Sequence, residues 1–140
     1  VVIEKYISGR KLEAAVFGYD SPICSAIGEI NDPAVPYDPN NFNVSTGDDL
    51  TIPADLPKDV ERKVTETAVT AFKALGCKGM ARVDMFLTDS GELLLNKIGT
   101  MPGLRKNSVF PRLMEELGYS HDELIDGLLE QAMDNADRTY

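Results

Sequence analysis

Two cysteines, Cys24 and Cys77, and a single histidine, His121, are all this 140-residue chain offers of the residues that most often hold transition metals or act as nucleophile and base. Neither cysteine has the CxxC or Cys/His spacing of a zinc site, and two are too few for a disulfide framework, so both are expected to serve as small buried hydrophobes. His121 follows Ser120 where a helix begins, which points to a solvated cap position rather than a catalytic base. Basic residues are also scarce: 14 Lys and Arg face 23 Asp and Glu, a net charge of −9 that argues against a broad grip on nucleic acid or anionic lipid. Any phosphate bound here must be held locally. No apolar run approaches the ~20 residues that span a bilayer, and no signal-peptide layout stands near Val1, so a soluble, cytoplasmic protein is expected. Val1-Val2-Ile3 reads as the middle of a strand, and the chain is therefore expected to be a fragment of something longer.

What is present, 43% apolar and 26% charged residues, fits one domain over residues 1–140 with one core. Apolar alternation predicts strands over Val1 to Ile7, Leu12 to Phe17 and Ile23 to Ile30, joined as an antiparallel meander. From residue 31 to 53 the chain collects Asp, Asn, Pro, Ser and Gly, which predicts a long loop of the kind found over active sites. Pro57 suits a first helical position. Val60, Val64, Ala68, Ala71, Phe72 and Leu75 then recur at three- and four-residue steps until Gly76 ends the helix. Met80 to Leu87 alternates again, Asp89-Ser90-Gly91-Glu92 turns, and Leu93 to Ile98 returns as the second arm of a hairpin. A short helix is expected around Phe110 to Leu117. A last one opens with the capping box Ser120-x-x-Glu123 and carries Leu124, Ile125, Leu128, Leu129 and Met133 on one face. The order predicts an α+β domain, an antiparallel sheet packed by helices, with the sheet's other face open for chemistry.

The hairpin is the informative stretch. With Ser90 and Gly91 as a two-residue turn, Asp84 falls opposite Lys97 and Arg82 opposite Gly99. Arg82 and Asp84 then share one sheet face, where burial without partners would be costly. That face is either a solvated surface, with an Asp84–Lys97 ion pair worth no more than about 1 kcal/mol, or the wall of a site. The second reading draws on Thr100-Met101-Pro102-Gly103, a turn toward which the face points and which can offer N–H groups to a developing oxyanion.

These residues resemble a family. Gly79 to Leu87, the hairpin, and Asn96 through Gly103 are similar to the C-terminal part of D-alanine–D-alanine ligases, which have the ATP-grasp fold and include the vancomycin-resistance D-Ala-D-Lac and D-Ala-D-Ser relatives. Ile3 to Gly9 resembles the family's adenine-binding linker strand. Ile52 to Pro57, Ala74 to Gly79 and Glu123 to Asp126 are similar to later segments, so the resemblance covers nearly the whole chain. It implies ATP-driven phosphorylation of one D-alanine carboxylate, attack on the acyl phosphate by a second D-amino acid, and a dipeptide for peptidoglycan. It also implies Mg²⁺. By position, Glu4, Lys5, Tyr6 and Ile7 would contact adenine and Asp84 would hold metal. Arg82 and the N–H of Gly103 would stabilise the oxyanion, and Ser108 would receive the second substrate's carboxylate. Local alternatives stay open: an edge-strand charge pair for Glu4 and Lys5, a helix cap for Ser108.

The chain also departs from the family pattern. Lys11 stands where relatives carry a ribose-binding Glu, and Lys97 and Gly99 stand where Asn-Glu-Ile-Asn supplies the remaining metal ligands, so neither is expected to coordinate. Tyr37 to Asn43 lacks the lysine that closes over the site in relatives. Metal binding is thus expected to be weak. The chain reads either as a ligase portion or as a catalytically silent fold module with an altered metal site; another ATP-grasp carboxylate–amine ligase is a weaker third. ATP and D-amino acids are the expected ligands, with no nucleic acid and no membrane as partners. N-terminal and lid domains are expected to be missing, so that 140 residues alone would not turn over, and pairing of two copies through the faces left bare stays open.

Overall fold

In the computed structural model the described residues are 1, 3–31 and 50–136, with side chains described through residue 134. The expected closing segment, Tyr37 to Asn43, lies outside them. Among the described residues a five-stranded antiparallel sheet runs in the order β3-β2-β1-β4-β5, built from β1 (Arg10–Gly18), β2 (Ile23–Ile30), β3 (Leu50–Thr51), β4 (Gly79–Leu87) and β5 (Leu93–Gly99). Three helices accompany it: α1 (Lys58–Ala74), α2 (Val109–Glu115) and α3 (His121–Ala136).

β1 is central, and its two-residue period sorts the core into two halves. Leu12, Ala14 and Val16 face α1 together with Val83 and Met85 of β4, and pack on Val64, Ala68 and Phe72. Ala15 and Phe17 face the other way, into a second cluster with Val109, Phe110, Leu113, Met114 and Leu124 from α2 and α3. Helices therefore cover both sheet faces, which corrects the expectation of a wholly open face. A strand as uniformly apolar as β1 can be buried on both sides, and a sheet with two apolar faces needs two covers. Where β2 bulges, with Ser25 and Ala26 opposite the single residue Ala15, the Ala15 amide donates instead to Ser25 Oγ at 2.9 Å, which keeps a buried donor satisfied.

α1 begins after Pro57, which sits one position earlier than expected, as the cap residue. It ends as expected at Gly76, whose φ is +63°: the Gly76 N–H donates to Lys73 O and the Cys77 N–H to Phe72 O, the paired bonds of a left-handed stop. Cys24 and Cys77 both pack half-buried against the α1 core as small hydrophobes, and burial pushes the Cys24 thiol up to about 12. On α3 only Leu124 of the expected apolar face is fully buried, while Leu129 and Met133 stand 58% and 71% exposed.

Two strand assignments change. Residues 1 and 3–8 form no strand: Glu4, Lys5 and Tyr6 are exposed, and they precede Arg10, where β1 first pairs, with Leu87 of β4. Gly9 marks the entry, where a Cβ would lie 2.4 Å from the Leu87 carbonyl oxygen. Conversely, the expected loop ends early, since Leu50 and Thr51 pair with Ile30 and Glu29 as β3. No helix among the described residues is long and apolar enough to cross a membrane.

Candidate functional site

The hairpin register places Asp84 opposite Lys97 and Arg82 opposite Gly99, as expected, but by a different route. The turn is three residues, Asp89-Ser90-Gly91, closed by the Thr88 N–H donating to Glu92 O and the Gly91 N–H, at φ +80°, donating to Thr88 O. That shifts the first pairs by one, to Leu87–Leu93 and Met85–Leu95. An irregularity between Asp84 and Met85, with Asn96 as the extra residue, then restores the frame.

The consequence is a compact group of four charges. Arg82 Nε donates to Asp84 Oδ1 at 2.8 Å and Arg82 Nη2 to Asp84 Oδ2 at 2.9 Å, a two-point pair on one strand face. Lys97 Nζ lies 3.4 Å from Asp84 Oδ2. Sequence reasoning missed the fourth member, Glu13, directly opposite Asp84 on β1, with Oε2 3.3 Å from Arg82 Nε. That N–H is aimed at Asp84, so Glu13 Oε2 sits beside the cation yet accepts no hydrogen bond. The signal was available: an acid inside the apolar run Leu12 to Phe17 raises the same burial question that singled out Asp84.

The electrostatics follow from burial. Loss of water first, and the Asp84 charge second, push the Glu13 carboxyl up to about 7 against the opposing pull of Arg82 and Lys97. For Arg82 burial works downward, but the bond to Asp84 and the charges of Glu13 and Asp84 outweigh it and hold the guanidinium above its ordinary value. Two of its N–H groups, on Nε and Nη2, go to Asp84.

The other expected site residues fall into two places. Gly103 and Ser108 come together: a Cβ on Gly103 would lie 2.9 Å from Ser108 Oγ. Ser108 does occupy the cap position of α2, but its side chain makes no capping bond. Gly99 ends β5 beside Arg82, four residues before Gly103. His121 is not a solvated cap. Its Nε2 donates to the Leu104 carbonyl at 2.7 Å, tying the residue after Gly103 to the start of α3, while the expected capping box holds with Ser120 and Glu123 bonded reciprocally. Glu4, Lys5 and Tyr6 are exposed and Ile7 half-buried in the unpaired stretch before β1. Lys11 is exposed on the same face of β1 as Glu13, two residues away.

Comparison with known proteins adds the lineage. A family model described as D-ala D-ala ligase C-terminus matches residues 1–130. The chain belongs to that family. It is 44% identical over 140 residues to a D-alanine–D-alanine ligase of Shouchella clausii, a match spanning 99% of this chain and 38% of the relative. The D-alanine–D-alanine ligase structure from Coxiella burnetii superposes with TM-score 0.82 at 35% identity, covering 96% of this chain and 35% of its own. That from Bacillus anthracis, complexed with ATP, shares the fold at TM-score 0.77 and 23% identity, covering 98% and 41%. The chain thus spans somewhat over a third of the length of these relatives. The ATP-grasp ligase fold expected from the resemblance is the one observed.

The family resemblance also implies Mg²⁺, and the residues present do not fit it. A hard divalent cation needs near-octahedral oxygen ligands at about 2.0–2.1 Å and retains several waters. Here Asp84 has both oxygens bonded to Arg82 and an ammonium beside one of them, and no group of three or more His, Cys, Asp or Glu among the described residues could hold a metal. Two carboxylates against two cations give no net negative charge to attract one.

Proposed function

We propose that this chain is the C-terminal portion of a D-alanine–D-alanine ligase-type enzyme, joining two D-amino acids at the cost of ATP to make a peptidoglycan precursor. In that reaction a carboxylate oxygen of the first D-alanine attacks the γ-phosphorus and ADP leaves. The second substrate's amine then attacks the acyl carbon, phosphate departs, and the amine loses its proton. The observation that carries the reading is the Arg82–Asp84 pair, with Arg82 opposite Gly99 at the end of β5, in a chain whose family match covers residues 1–130.

In this reading Arg82, oriented by Asp84, presents Nη1 to the oxyanion, where a charge-assisted donor in a dry site stabilises most. The N–H of Gly103 is its second donor. The Ser108 hydroxyl, free of capping duty, takes the second substrate's carboxylate, and residues 4–7 offer backbone groups to adenine. Lid and N-terminal domains, as the resemblance implies, would supply the remaining grip on phosphate and amino acid.

One observation favours a second reading, a catalytically silent fold module: Lys97 on Asp84 removes the family's metal chemistry from this face. Titration of the 140-residue chain with ATP, followed by amide NMR, tests the first. Saturable shifts at residues 4–7 and 82–84, lost in Arg82→Met, are expected; no saturable shift would leave the silent module as the better account.

A further inference from the structure

Two neighbouring rows of residues cross the charged face. Glu13, Asp84 and Lys97 stand opposite one another on β1, β4 and β5, and two residues along each strand the next row is Ala15, Arg82 and Gly99. Arg82 is thus flanked by small residues on both sides. Ala15 is fully buried, and a Cβ on Gly99 would meet nothing closer than the Arg82 carbonyl oxygen at 4.0 Å. Neither has a polar side chain to fix where the guanidinium lies.

The fixing is done from the other row, where two cations compete. Asp84 Oδ2 accepts from Arg82 Nη2 at 2.9 Å and also has Lys97 Nζ 3.4 Å away, so one carboxylate oxygen is approached by two positive groups that repel each other. With Asp84 alone, the guanidinium would share its partner and have the open space beside Gly99 to swing into. Glu13 breaks the tie. From β1 it sets Oε2 3.3 Å from Arg82 Nε, within reach of charge attraction although that N–H already goes to Asp84 Oδ1 at 2.8 Å. The Glu13 side chain is 11% exposed and that of Lys97 62%, so water weakens the lysine's hold on Asp84 more than the glutamate's on Arg82.

We propose that Glu13 is a positioning residue for Arg82: from the neighbouring strand its carboxylate keeps the guanidinium on Asp84, against the competition of Lys97, and out of the space beside Gly99. It touches no substrate itself and acts through the group that the ligase reading places at the oxyanion, where a donor misplaced by about 1 Å can cost on the order of 10²-fold in rate. The proposal rests on that reading for its catalytic meaning, but its test needs no nucleotide, so the two can fail separately. NMR of the arginine side chains in the 140-residue chain reads rotation of the Arg82 guanidinium about its Nε–Cζ bond. The measurement is made at about pH 8, above the raised Glu13 value of about 7, where the carboxylate is charged. Glu13→Gln, which deletes the charge and keeps the size, speeds the rotation at least about fivefold while amide exchange along β1 and β4 stays unchanged.

Adding Lys97→Met to Glu13→Gln removes the competing cation and returns the rotation to within about twofold of the parent, a rescue that a purely structural role for Glu13 has no means of giving. Glu13→Met, a second neutral replacement of similar length, shows the same acceleration and the same rescue, and guards against a folding defect in the glutamine variant. Rotation unchanged in both neutral variants overturns the proposal. So does an acceleration that Lys97→Met leaves in place, or one matched by faster amide exchange throughout β1 and β4, which would mean the strands themselves had loosened. A failed ATP titration would sink the ligase reading and leave the hold of Glu13 on Arg82 standing.

Discussion

The two faces of the sheet are made by the same strands and obey opposite rules. Toward α1, β1 and β4 contribute Leu12, Ala14, Val16, Ala81, Val83 and Met85, none of them charged. One residue over, the same strands present Glu13, Arg82 and Asp84, two of them buried, beside the apolar cluster under α2 and α3. The first face is held by volume and area removed from water. The second is held by mutual neutralisation, in which each charge is tolerated because another is within reach. The difference teaches that fold and site here are separable inventories, written on alternate residues of the same segments.

The sharpest way to break the comparison is to remove one member from each side. Phe72→Ala, at a fully buried position under β1, is expected to cost about 3–5 kcal/mol in urea denaturation, because the lost side chain leaves a cavity that α1 cannot close. Asp84→Ala is expected to cost about 2–4 kcal/mol by leaving the Arg82 guanidinium buried without its two-point partner. The joint replacement Arg82→Met with Asp84→Leu should recover part of that loss, a recovery that an apolar site like Phe72 has no means of showing. Additive losses in the double variant would mean the charged face is held by packing after all.

The next effect is pH. Glu13 has its folded pKa raised to about 7, above the ordinary carboxylate value, so the folded state binds the proton more tightly than the unfolded chain does. Its contribution is fully present below about pH 4.5 and is lost as pH rises through about 7. Between pH 5 and 8 the chain is expected to lose on the order of 1–3 kcal/mol through this group. Glu13→Gln, which mimics the protonated form, flattens that part of the urea-midpoint profile, and identical profiles would remove Glu13 from the account. The smallest change is expected for Lys97→Met, within about 1 kcal/mol, since an exposed partner contributes little to stability whatever it does to ligands.

How much of this was legible in the sequence depends on how local each signal is. The Gly76 stop, the Ser120–Glu123 box and the α1 face are decided within one or two turns of chain, and all were readable. The Asp84–Lys97 pairing was read correctly from an incorrect turn, because the three-residue loop and the extra Asn96 cancel in the register. Val1 to Ile7 has the composition of a strand, but pairing along β1 starts only at Arg10, and local pattern does not record where the partner strands end. Likewise, β3 is two residues long and has no periodicity to detect. Glu13 and the bond from His121 to Leu104 belong to the candidate site and were missed for one reason: each acts through a partner brought close only by the tertiary fold.

That last bond has a mechanical consequence. The bend carrying Gly103 is pinned through Leu104 to the first turn of α3, whose Leu124 is rooted in the core beneath it. The bend is thereby tied to a helix seated in the core rather than left as a free loop, and a lone imidazole serves this protein as a rivet.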